Sequence, residues 1–103
     1  MPGNSAEAAS WYRKAAEQGD AHAQSKLGDM YNRGCGVPQD CAEAHMWLNL
    51  AASRASGDDR KEYAGERDAV ARKMTPLQIA EAQRRAREWK PKTGQDKGGG
   101  PVK

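Results

Sequence analysis

Displaced by 36 residues, the chain matches itself. Residues 4–16 (NSAEAASWYRKAA) fall on residues 40–52 (DCAEAHMWLNLAA), pairing Ala6 with Ala42, Glu7 with Glu43, Ala8 with Ala44, Trp11 with Trp47, Ala15 with Ala51 and Ala16 with Ala52. A period of this length marks a stack of small structural units, none of which can bury its apolar face alone. Ala8, Trp11 and Ala15 recur at i, i+3, i+7, as do Ala44, Trp47 and Ala51, so each copy predicts a helix with one apolar stripe. Between the copies, Gly34, Gly36 and Pro38 interrupt the helical pattern and Asp40 restarts it. Such punctuation predicts a tight turn between two helices of one unit.

Start signals divide the remainder. Asn4 with Glu7 and Asp40 with Glu43 have capping-box spacing, and Asp20 follows the helix-ending Gly19. Thr75-Pro76-Leu77-Gln78 supplies an N-cap, a proline in the first helical position and a glutamine in the third, with Met74 and Ile79 at staple positions. Five helices are predicted, over 5–17, 21–33, 40–55, 58–73 and 76–90, with short antiparallel connections. From Pro91 the sequence reads as a flexible basic tail, 91–103.

Composition decides how such helices pack. Leu, Ile, Val and Phe total only 8 residues, a level associated with disorder, but there are 18 alanines. Alanine favours the helix and permits close helix approach, so a thin alanine core anchored by Trp, Tyr, Met and Leu reconciles the two counts. The formal charge of +3 is concentrated beyond residue 55, and much of it lies between Lys90 and Lys103. No apolar run is long enough for a bilayer and the first residues lack a secretory pattern, so a cytoplasmic location is expected, though export of a longer parent stays open.

Leu27-Gly28-x-x-Tyr31-x-x-Gly34-x-Gly36-Val37-x-x-Asp40, followed by Ala44-x-x-Trp47 and Ala51-Ala52, resembles a Sel-one-like repeat, as does Trp11-Tyr12-Arg13-Lys14-Ala15-Ala16-Glu17-Gln18-Gly19. The resemblance covers residues 4–55 and implies an all-α fold, a right-handed α/α superhelix related to tetratricopeptide repeats. It divides residues 1–90 into a half repeat (4–19), a full repeat (20–55), and a degenerate repeat with a capping helix (56–90). The degenerate unit carries Arg67 where Tyr31 stands and lacks the Gly-x-Gly turn. In this frame Ala23, Leu27 and Tyr31 form a buried stripe, Gly28 lets the third helix approach, and the turn glycines supply backbone angles a Cβ would hinder.

Chemistry is sparse. Cys35 and Cys41 read as unpaired thiols, with a bridge across the turn as the alternative; the disulfide positions of secreted relatives are filled here by alanines, including Ala51 and Ala52. Cys41 and His45 share a helix face and Cys35 lies near in sequence, but a structural zinc needs a fourth ligand, so neither metal nor cofactor is expected. Motifs for nucleophilic, phosphate or metalloprotease chemistry are missing, and no enzyme is expected. Glu62, Glu66, Glu81 and Glu88 read as solvated helix faces paired with nearby Lys and Arg. Arg84, Arg85 and Arg87 with Trp89 could grip nucleic acid, but Trp89 continues the stripe Ile79, Ala82, Ala86, so packing is the stronger reading.

The resemblance implies a non-catalytic adaptor that binds a protein segment or peptide in a concave groove. Landmarks Leu27, Gly28 and Tyr31 place His22, Ser25, Asp29, Asn32 and Arg33 on that groove. The alternatives are self-association through Trp11 and Tyr12 on helix 5–17, which lacks a preceding neighbour, and weak nucleic-acid binding through the basic end.

Overall fold

The computed structural model describes residues 4–92. They form five helices: α1 (Ser5–Glu17), α2 (Ala21–Arg33), α3 (Cys41–Arg54), α4 (Gly57–Ala71) and α5 (Pro76–Glu88). There is no strand among the described residues, and the fold is the all-α helical-repeat class the sequence predicts. No described helix is long and apolar enough to cross a membrane. The tail expected over 91–103 lies outside the described residues except at its root, where the Lys92 amide donates to the Glu17 carbonyl at 2.6 Å.

Local chemistry sets the helix starts. Asn4, Asp20 and Asp40 each accept a hydrogen bond from the backbone amide three residues on, at 3.1 Å. Thr75 forms the full reciprocal box with Gln78. Trp89 leaves α5 with extended backbone, φ −69° and ψ 141°. That exit aims its ring edge-on at Trp47, 6.1 Å between centroids, so the helix stops two residues before the predicted 90.

The core centres on α3, which packs against α2, α4 and α5, while α1 packs on α2. Ala44, His45, Met46, Trp47, Leu48, Leu50, Ala51 and Ala52 are all buried, so α3 is covered around most of its girth. Leu27 and Tyr31 of α2 and Val70 of α4 complete the main cluster. An alanine at Gly28 would set its Cβ 2.8 Å from Leu48 Cγ and 3.2 Å from the Ala44 carbonyl oxygen. Gly28 therefore fixes how closely α2 and α3 approach.

The broken stretch between α2 and α3 also serves packing. Gly34 ends α2 in the left-handed region at φ 71°, and the Cys35 amide returns to the Met30 carbonyl at 2.9 Å. Gly36, at φ 80°, lies so close to α1 that a Cβ would fall 2.3 Å from the Ser5 carbonyl oxygen. The turn thus clamps the start of the preceding helix.

One sequence expectation needs correction. Trp11 and Trp47 match in sequence, yet Trp11 is 66% exposed and Trp47 only 3%. Ala9 and Ala16, rather than Ala8 and Trp11, are the buried residues of α1. The cause is coverage: α3 has helices on several sides, whereas the Trp11 ring meets the Lys14 ammonium, 5.2 Å from its centroid. The repeat still relates contacts. Arg13 donates to the Tyr31 hydroxyl, and Arg67 donates to Asn49 Oδ1 at 3.0 Å; these two pairs are the same positions displaced by 36 residues. The second contact thus repeats the position of the first with different chemistry.

Candidate functional site

Because α3 packs beneath both α2 and α4, the outer faces of those two helices stand apart and enclose a groove of about 640 Å³. One wall is the α2 face opposite the buried stripe, carrying His22, Ser25, Lys26, Asp29 and Arg33. The other is the α4 face carrying Asp59, Glu62, Tyr63 and Glu66, and Arg54, Ala55 and Ser56 close one end. Tyr63 is buried against Ala51 and Ala52, with Ala21 and Ala55 packed beside it, giving that end an apolar floor.

Four of the five groove residues expected from sequence lie on this wall. Ser25 is buried and its hydroxyl donates to the His22 carbonyl at 2.7 Å. Asp29 and Arg33 form an ion pair at 3.1 Å. Asn32 does not line the groove: its carbonyl accepts from Gln39 Nε2 at 2.9 Å and its side-chain oxygen from the Lys73 ammonium. The other suggested surface is divided as well, since Trp11 is exposed while Tyr12 packs against the main core.

The α4 wall was missed. Glu62 and Glu66 read in sequence as ordinary ion-paired residues along with Glu81 and Glu88, and of these four the α5 pair is ion-paired. There Arg84 meets Glu81 at 2.6 Å and Glu88 at 2.8 Å, and Arg85 joins Glu81 to Glu43 of α3 at 3.0 Å. Hydrogen bonds from Arg84 and Arg85 hold the Glu81 carboxyl below its usual range. Asp59, Glu62 and Glu66 form no ion pair among the described residues. Burial pushes the Glu66 carboxyl up, and neighbouring Glu62 and Asp29 push it further, with Lys26 acting in the opposite direction. The i, i+3, i+7 spacing of these acids was the available signal.

His45 lies buried, its Nδ1 without a hydrogen-bond partner, and desolvation followed by the Arg67 charge lowers its pKa. Cys35 is exposed, its thiol donating to the Ser5 hydroxyl at 3.4 Å, and Cys41 is half-buried. No group of three or more His, Cys, Asp or Glu suited to a metal occurs among the described residues.

The chain is similar to three fungal proteins. It is 37% identical over 75 residues to chitin synthase regulatory factor 3 of Schizosaccharomyces pombe, covering 73% of this chain and 8% of that protein. It is 38% identical over 60 residues to chitin synthase regulator SKT5 of Malassezia restricta, covering 58% and 4%. A Sel1-like repeat-containing protein of S. pombe is 41% identical over 46 residues, 45% of this chain and 7% of the relative. This chain thus spans a small fraction of each relative's length. No solved structure matches it. The Sel1 repeat model matches residues 1–20 and 21–56, more than half of the chain, and with the helix pairs and glycine contacts described above this places the protein in the Sel1 repeat family.

Proposed function

We propose that this chain is a non-catalytic interaction module that holds a segment of another protein in the groove between α2 and α4. The groove itself carries the reading: two helices packed on a common neighbour leave polar faces apart over an apolar floor, in a space of about 640 Å³. Its walls offer donors and acceptors of both signs, suited to a peptide backbone and its side chains. Two relatives are named as regulators of chitin synthase, and regulation through protein contact accords with a repeat scaffold; their partners are not carried over. The test is capture from a native lysate, identification of the bound protein, and measurement of its affinity for purified Asp29→Ala/Arg33→Ala. Weakened binding with an unchanged circular dichroism spectrum supports the groove, and unchanged affinity places binding elsewhere.

A second reading draws on Trp11, exposed on α1. Such an indole suits self-association through that helix. Light scattering should then show a concentration-dependent rise in mass that Trp11→Ser abolishes; a constant monomer mass removes this reading.

A further inference from the structure

Resting on the groove reading, we infer that the segment held between α2 and α4 is extended and presents lysine or arginine side chains toward α4. The groove contains both signs of charge, but its cations are unequally available. Arg33 is paired with Asp29 at 3.1 Å. Arg54 donates to the Gly19 carbonyl at 2.7 Å, and its guanidinium lies 5.8 Å from the centre of the Trp89 ring. Lys26 is left to face the carboxylates of Asp59, Glu62 and Glu66, none of which forms an ion pair among the described residues. Burial first, and then the neighbouring Glu62 and Asp29, disfavour the charged form of Glu66, and an arriving cation offsets this.

The floor points the same way independently. Tyr63, Ala21 and Ala55 line the groove and offer an apolar bed for a methylene stem. Asp59, Tyr63 and Glu66 follow at i, i+4, i+7 on α4, so a carboxylate stands on either side of the ring. Asp59 and Glu66 are separated by about 10 Å along the helix axis, a distance an extended segment covers in about three residues. Side chains on one face of an extended segment recur at every second residue, so alternating basic residues present several cations along this span. A polyphosphate would meet the same carboxylates as repulsion.

The test uses the full chain and short fluorescein-labelled peptides alternating Arg with Ser, Gln with Ser, and Glu with Ser, read by fluorescence anisotropy. The Arg peptide should bind, the Glu peptide should not, and added salt should weaken the binding. Glu62→Gln/Glu66→Gln should lower affinity for the Arg peptide roughly tenfold, while Glu7→Gln/Glu88→Gln, an equal charge change outside the groove, should alter it less than about twofold. Equal losses in the two variants would assign binding to net charge and overturn the inference, as would no saturable binding of the Arg peptide. Preference for the Gln or Glu peptide, lost in Asp29→Ala/Arg33→Ala, would overturn the charge inference while leaving the groove reading intact.

Discussion

Replacing Gly28 with alanine sets two effects of opposite sign against each other. Within a helix, alanine is favoured over glycine by about 0.5–1 kcal/mol, because the unfolded glycine has more freedom to lose. At Gly28 that gain meets a clash. The new methyl would lie 2.8 Å from Leu48 Cγ and 3.2 Å from the Ala44 carbonyl oxygen, whereas carbon–carbon contacts are optimal at about 3.5–4.0 Å. Leu48 Cγ is a branch point within the core and the carbonyl belongs to a buried turn of α3, so relief requires the helices to separate. Overpacking of this kind costs about 1–3 kcal/mol, leaving Gly28→Ala destabilised by roughly 1–2 kcal/mol. Gly65 on α4 is the internal control, since a Cβ there meets nothing within 4 Å. Gly65→Ala should therefore stabilise by about 0.5–1 kcal/mol. Unfolding followed by circular dichroism should show Tm lowered by roughly 4–16 °C for Gly28→Ala and raised by several degrees for Gly65→Ala. An equal rise in both would refute the close α2–α3 approach.

Gly36→Ala should cost more than Gly28→Ala, roughly 2–4 kcal/mol by urea denaturation, because a left-handed backbone and a clash with the Ser5 carbonyl add together; stability within 0.5 kcal/mol of the parent would contradict the clamp. Trp47→Ala should lose about 3–5 kcal/mol and Trp11→Ala less than about 0.5 kcal/mol, and comparable losses in urea unfolding would show that the two indoles share an environment after all. Burial, and then the Arg67 charge, lower the His45 pKa, while Asp68 raises it less; with the folded value below the ordinary 6.5, the unfolded chain binds the extra proton. Its contribution to stability is accordingly present above pH 6.5 and declines as pH falls toward the folded value, so the urea midpoint should drop over that window and His45→Gln should flatten the slope. Glu66 has the opposite linkage: its raised pKa means stability increases as pH falls through the folded value toward 4.5, an increase that Glu66→Gln should remove.

Much of the architecture is written in local chemistry. Acceptors at Asn4, Asp20, Asp40 and Thr75 mark helix starts that need only the next turn to be understood. The 36-residue match locates the hairpin, and the family resemblance gives Gly28 the third helix as its neighbour, whereas the approach of Gly36 to Ser5 becomes visible only in three dimensions. The exposure of Trp11 was not legible from its match to Trp47, because burial depends on which helices surround a position. Gln24 shows the same limit: nothing in the sequence singles it out, yet it is buried and its Nε2 donates to the Ala16 carbonyl at 3.1 Å, tying α2 to α1. On the groove, His22, Ser25, Asp29 and Arg33 could be placed from the family resemblance, with Leu27, Gly28 and Tyr31 as landmarks, whereas the α4 acids had no landmark to orient them. Asn32 was misplaced by a short step around the helix, where Lys73 and Gln39 engage it.

The most direct test of the groove is a backbone amide NMR titration of the full chain with its captured and identified partner. Shift changes should concentrate on α2 at His22, Ser25 and Asp29 and on α4 at Glu62, Tyr63 and Glu66. Changes confined to α1 around Trp11, or to α5 around Arg87, would contradict the assignment.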